Sequence, residues 1–299
     1  MSDFLIIEEA NLYGDWIAIA RQRLINSGFD VSGLIRDNDV GQEYFNALLH
    51  LTIPIQPRQV HQADTFNCPA DLAAGLAAFT AKVESGQNLR PYMSRGVKKV
   101  ANRDLLRYDW GIHHFHLGTT LANDGFVNRT EPILFAWVTN EAIYMLGLYP
   151  HGAWNQKQLL QLIHRNWPEL LAPYRIGAVG LTHHLTEQEI GQARRAGVFV
   201  AIQVADGFVF VPPGGGMPTS GHSMNAVRGN DHIHNSLHRL TEMIHDPFSP
   251  FHQEAESKGD YVKRVLSFSL LDIEGRCILI ERHNNLHFEI EGIPNLPVL

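Results

Sequence analysis

The sequence predicts an α+β fold: a helical N-terminal region, a central antiparallel β-meander, and C-terminal antiparallel hairpins with intervening helices. Three observations predict it. Apolar residues recur at helical spacing ahead of residue 90. From Trp110 the pattern changes to short runs rich in β-branched and aromatic residues. In the last third, Asp206-Gly207 and Glu274-Gly275 sit between apolar runs, as hairpin turns do. Hairpins separated by helices point to an α+β arrangement and away from a doubly wound sheet.

The elements follow in order. Trp16, Ile17, Ile19, Ala20, Leu24 and Ile25 make a first helix, stopped at Ser27-Gly28. Glu43 to Leu51 makes a second, and Pro54 and Pro57 break it. Asp71 is placed to cap a third, running through Leu72, Leu76, Phe79 and Val83 to Gly86. Strands over 112–117, 133–138 and 142–148 form the meander, and a helix from Asn155 to Trp167 ends at Pro168. A strand over 176–181 opens the second half. The capping-box sequence Thr186-Glu187-Gln188-Glu189 then starts a helix that Gly197 closes. A hairpin over 198–211, a loop Pro212-Pro213-Gly214-Gly215-Gly216, a helix from Ser223 to His245 and a hairpin over 265–281 complete the chain. A boundary near Pro173 separates 1–172, helices plus meander, from 173–299, and the two parts can share one core.

A hydrophobic content of 44% with 18% charged residues places the chain among globular proteins, not disordered ones. No apolar run nears the roughly 20 residues of a membrane span, and the acidic start Met1 to Glu9 lacks a signal peptide's basic region. The expectation is a cytoplasmic protein. The two cysteines, Cys68 and Cys277, make neither a disulfide framework nor a C-x-x-C zinc motif. A net charge of −7 opposes binding of nucleic acid by the chain as a whole and leaves room only for a local basic patch.

The chain has 17 histidines, and three of them fall in the run Asp109-Trp110-Gly111-Ile112-His113-His114-Phe115-His116-Leu117-Gly118. On a strand, His114 and His116 share one face about 7 Å apart, while His113 turns to the core with Phe115 and Leu117. Such a pair can bind a metal or present an acid and a base; as single residues they would be ordinary solvated strand positions. Arg90, Arg95, Lys98, Lys99, Arg103 and Arg107 precede the strand, with Asp104 as the one acid among them. That stretch would draw phosphate, although solvated faces are the commoner fate of charge runs.

The favoured reading is a metal-independent ribonuclease or phosphodiesterase acting on RNA. His114 and His116 would be acid and base, and Arg129 or Arg107 would stabilise the phosphorane-like transition state. Arg95, Lys98, Lys99 and Arg103 would hold phosphate, with no cofactor. One alternative is a metal-dependent hydrolase, with Zn²⁺ or Mn²⁺ on His114 and His116 together with Asp109 or with the helix stripe His234, His238 and Glu242. That stripe is not the zincin motif, because Asn235 replaces its glutamate; a solvated helix face also explains it. The other alternative is a non-enzymatic partner protein of a phage-defence or toxin–antitoxin system, with Trp110, Phe115 and Trp137 in a core or interface. Arg129 is read as opening the second meander strand, and His151, at that strand pair's other end, need not reach His114. The glycine loop 214–216 could cradle an anion, though a tight connector fits it better, and Ser220 and Ser223 read as helix caps.

Leu89-Arg90-Pro91-Tyr92-Met93-Ser94-Arg95 with the 104–118 segment resembles an uncharacterised bacterial family with an LxPYxSR…DWGIHHFHLG core, a resemblance that implies no activity. Residues 109–154, three meandering strands with Arg129 before the second, are similar to the core of RelE-type ribonuclease toxins. That similarity implies RNA cleavage without a metal; the greater length and acidic charge of this chain depart from those toxins. The spacings Arg107…His113, Arg228…His234 and Arg239…His245 also resemble the R-x₄₋₆-H motif of HEPN ribonucleases. The first of them spans a helix-to-strand change, which that all-helical family lacks.

Overall fold

The computed structural model describes residues 6–177, 180–218, 221–258 and 265–289. Strand β1 (Ile6–Ala10) leads to helices α1 (Leu12–Asn26) and α2 (Asp37–Asn46). Strand β2 (Gln59–Gln62), helices α3 (Ala73–Glu84) and α4 (Leu105–Trp110), and strands β3 (Ile112–Phe115), β4 (Ile133–Val138) and β5 (Ala142–Tyr149) follow. Helices α5 (Gln158–Asn166) and α6 (Pro168–Leu171), strand β6 (Arg175–Ile176), helix α7 (Glu187–Arg195) and strands β7 (Ile202–Gln203) and β8 (Val209–Phe210) come next. Helices α8 (Met224–His245) and α9 (Pro250–Lys258) precede strands β9 (Val265–Ile273), β10 (Arg276–Glu281) and β11 (Leu286–Glu289). The fold is α+β.

Two compact units form. One joins the residues up to Leu48 to those from Val227 onward, and the other is Leu49–Ala226. Pro173, where the sequence suggests a boundary, lies inside the second unit.

In the first unit the sheet order is β1-β9-β10-β11, with β1 parallel to β9. The acidic opening segment therefore supplies a strand that alternation in the sequence does not announce. Arg23 of α1 is buried and donates to Asp272 at 2.6 Å and to the Gly275 carbonyl at 3.0 Å, tying α1 to the β9–β10 turn. That turn places Glu274 and Gly275 at φ of 51° and 83°, the left-handed pair a two-residue hairpin needs.

In the second unit the sheet order is β2-β5-β4-β3. The meander β3–β4–β5 is antiparallel as read from the sequence, and β2 adds in parallel. Register pairs His114 with Phe135 and Phe115 with Leu134, so these pairs project from opposite faces. Phe115 packs on Phe79 of α3, ring centres 4.9 Å apart. The opposite face carries Ile112, Phe135 and Trp137, which join Leu159, Leu160 and Ile163 of α5 in one buried cluster. Both faces of the sheet are thus core, whereas the sequence reading left the His114 face open.

Several boundaries move. Asp71 sits in a 3₁₀ turn, Ala70–Leu72, and makes no capping bond to α3. The first meander strand stops at Phe115, leaving His116 and Leu117 beyond it. Among the described residues the strand read over 176–181 is only β6; residues 178–179 lie outside the described set, as does Ser220. The capping box at Thr186 forms as read, with both reciprocal bonds present.

Helix α3 lies so close to the end of the histidine segment that a Cβ on Gly75 would fall 1.7 Å from the Leu117 carbonyl oxygen. Backbone cannot yield there as a side-chain tip does. Gly75→Ala is expected to lower the unfolding free energy by about 1–3 kcal/mol despite alanine's better helix propensity. Chemical denaturation of the two proteins checks the sign.

Candidate functional site

The site is built outward from the short helix α4. Asp104 caps it: its Oδ1 accepts from the Arg107 backbone N–H at 3.1 Å. Gly111, at φ 71°, ends the helix in the left-handed conformation and releases the chain directly into β3. Asp104 and His114 therefore come from the two ends of one tight helix-to-strand connection. Asp104 Oδ2 stands 3.4 Å from His114 Nδ1.

A cavity of about 330 Å³ opens against this pair. Arg103, Asp104, Arg107 and His114 line it on one side, and Trp154, Asn155 and Arg195 on the other. Arg107 is 2% exposed, and its Nε and Nη1 have no hydrogen-bond partner among the described residues. A buried guanidinium with unused donors is costly unless a ligand or water meets it. The Trp154 ring stacks on Phe135 at 5.3 Å and lies 5.0 Å from the His114 ring.

The far wall is positioned by a buried ion pair. Arg194 of α7 donates to Asp109 at 2.7 Å and to Asn155 Oδ1 at 2.9 Å, binds the Trp154 carbonyl, and lies 4.0 Å over the Trp110 ring. These contacts fix the end of α7, and with it Arg195, beside the cavity. The glycine loop is occupied as a connector. Gly214 and Gly216 donate to the carbonyls of Asp109 and Tyr108, each at 2.9 Å, clasping the end of α4. Ser223 accepts from the Ala226 N–H at 3.0 Å, the bond of a cap, and its hydroxyl meets His50 Nε2 at 2.7 Å.

Burial would raise the Asp104 carboxyl, but the neighbouring His114 and Arg107 outweigh burial and hold it below the ordinary carboxylate value. His114 is lowered in turn, by burial first; the attraction of Asp104 opposes that shift and Arg107 adds to it. At neutral pH the imidazole is therefore uncharged.

The remaining candidates separate. Arg103 and Arg107 line the cavity, whereas Arg95 pairs with Asp124 at 2.7 Å and Lys98 reaches the same carboxylate at 3.5 Å. Lys99 is exposed. Arg129 is exposed in the connection before β4 and does not open that strand; its charge still acts on His114 and His116. His116 is 2% exposed and its Nδ1 accepts from the Thr130 N–H at 3.1 Å. His151, read as remote, lies with its ring centre 5.5 Å from that of His116 and acts electrostatically on His114.

Asp109, an alternative metal ligand, is taken by Arg194. His234, His238 and Glu242 lie on α8 in the other unit, with His238 paired to Glu242 at 3.5 Å. No three His, Cys, Asp or Glu side chains among the described residues group as metal ligands would. Sequence reasoning missed Trp154, Asn155 and Arg195. Only the paired arginines 194–195 gave a signal, and basic residues in a helix's last turn are ordinary.

No protein-family model, curated protein or solved structure matches this chain.

Four histidines in this unit, three buried and His114 partly so, share one property. His50 is lowered to about 3 by burial and the Arg107 charge, and His116 to about 4 by burial and neighbouring cations. His113 falls well below its ordinary value, mainly through burial, and His114 is lowered as described. The unfolded chain protonates these rings near pH 6.5, and the folded chain only at lower pH. Their contribution to stability is thus complete above about pH 6.5 and declines as pH falls through it, each ring adding on the order of 1 kcal/mol per pH unit. Urea unfolding between pH 7.5 and 5 should show this slope, and His113→Phe should flatten it by one proton's worth.

Proposed function

We propose that this cavity takes a phosphate group of RNA and that the protein is a metal-independent phosphodiesterase. The observation that supports this most directly is the buried Arg107 guanidinium, with unused donors, in the wall of a cavity shared with a neutral histidine. Buried arginine donors suit phosphate oxygens in number and geometry. A neutral imidazole beside a carboxylate can serve as a general base.

In the proposed step His114 takes the proton of a ribose 2′-hydroxyl. The O2′–P bond forms as the P–O5′ bond breaks, and the imidazolium returns the proton to the departing 5′-oxygen. The products are a 2′,3′-cyclic phosphate and a 5′-hydroxyl end. Arg107, with Arg103 and Arg195, offsets charge on the phosphorane. Asp104 stabilises the transient imidazolium and fixes the ring. This assigns both proton transfers to His114 and gives His116, sealed against Thr130, a supporting place.

Incubation of purified protein with RNA in EDTA is the test. The wild type is expected to yield cyclic-phosphate ends, and His114→Ala to cleave about 10²–10⁴-fold more slowly with its thermal unfolding still cooperative. RNA left intact by the wild type, or cut equally by the variant, overturns the proposal.

A further inference from the structure

The cavity is larger than a phosphate needs. Its volume of about 330 Å³ falls where pockets begin to take whole small molecules. Beside Arg107 and His114, its wall includes Val97, Leu106, Trp154 and Asn155. Apolar side chains offer a phosphate nothing. Trp154 is held at two points: its carbonyl accepts from Arg194, and its ring stacks on Phe135, 13° from parallel. A ring immobilised before binding gives up little freedom when a flat ligand packs against it.

Asn155 is oriented as well. Its Oδ1 accepts from Arg194 Nη1 at 2.9 Å. A guanidinium has only donors, so the amide oxygen faces Arg194 and the amide nitrogen turns away. That nitrogen lies toward Gly191, another residue of the cavity wall, where a Cβ would fall 2.5 Å from it. The absent side chain thus leaves room for a fixed amide donor.

A flat apolar surface and a fixed donor are what a nucleobase uses, through its π-face and through the acceptors on its edge. We infer that the cavity binds one unpaired nucleotide, with its phosphate toward Arg107 and its base against Trp154, within reach of the Asn155 amide. The inference rests on the phosphate-binding reading above and names the form of RNA that reading requires. A paired base cannot enter without its partner and stacked neighbours, whereas an unpaired one pays little to leave the stack. Recognition is therefore confined to single strands and unpaired nucleotides.

Ribose 5-phosphate and the four nucleoside 5′-monophosphates share one phosphate and differ by the base alone. Calorimetric titration of the full chain at one ionic strength is expected to show at least one nucleotide binding about tenfold or more tightly than ribose 5-phosphate. Trp154→Leu should remove most of that advantage. Asn155→Asp keeps an oxygen for Arg194 but exchanges the donor for an acceptor, and it should shrink the advantage too. Taking the ratio to ribose 5-phosphate cancels the effect of the added charge on the phosphate. An RNA strand should bind at least tenfold more weakly once annealed to its complement.

Equal affinity for ribose 5-phosphate and every nucleotide, no binding of any of them by folded protein, or a duplex bound as tightly as its strand would overturn the inference. So would a base advantage that Asn155→Asp and a folded Trp154→Leu protein both leave unchanged. Its failure is separable from that of the cleavage reading. RNA cut in EDTA by a protein with no base advantage overturns the nucleotide site alone. A clear base advantage with RNA left intact overturns the cleavage step alone.

Discussion

The two oxygens of Asp104 hold the site together. One closes the first turn of α4, and the other faces the His114 ring. The cap fixes where α4 begins, Gly111 fixes where it ends, and β3 starts immediately afterwards. The carboxylate is therefore positioned by backbone hydrogen bonding before it acts on the imidazole. Arg107 stands on the same short helix and, after His114, helps hold that carboxylate below its ordinary value. Capping, charge and orientation are thereby one local arrangement of the segment from Asp104 to Gly111 and the strand it leads into. Removing the carboxylate would disturb the helix start, the ring and the guanidinium together.

Burial on both faces of the meander sheet decides what the histidines can do. On a sheet with one wet face His114 would be a solvated, half-charged residue near neutral pH. Here Phe135 and Trp154 cover its face, and the water that would favour the imidazolium is largely gone. The same burial disables His116 as a direct participant, because its ring nitrogen already accepts a backbone bond and its surface is closed. Two histidines of equal promise in sequence thus differ through one residue of strand length, since β3 ends between them.

What the sequence made legible were the local features. The meander, the capping box at Thr186, the Glu274-Gly275 turn and the turning of His113 toward Phe115 all depend on nearest neighbours along the chain, and each appears in the structure. Half of the candidate site was legible for the same reason, since Arg103, Arg107 and His114 come from one continuous segment. What could not be read depends on distant pairing. The parallel strands β1 and β2 have too little alternation to signal themselves, and their partners lie far along the chain. Trp154, Asn155 and Arg195 reach the cavity only through the Arg194–Asp109 pair, which joins residues 85 positions apart. Arg95 and Lys98, which looked like phosphate ligands, are claimed by an aspartate from the later loop.

That ion pair also explains how a cavity rich in cations can exist in a compact unit. Arg194 and Arg195 are neighbours in sequence with opposite fates. The first is neutralised by Asp109 and stacked on Trp110, and the second is left beside the cavity. Pairing the deeply buried charge limits its desolvation cost to what Asp109 and the Trp154 and Asn155 oxygens can offset. Unused guanidinium donors then remain on Arg107, in the wall of the cavity. An apolar replacement of the Arg194–Asp109 pair is compatible with folding, because such exchanges are often neutral or stabilising. It would still lose the bonds that aim Asn155 and the end of α7 at the cavity. The pair is better understood as setting the geometry of the cavity wall that carries Trp154, Asn155 and Arg195 than as a source of stability.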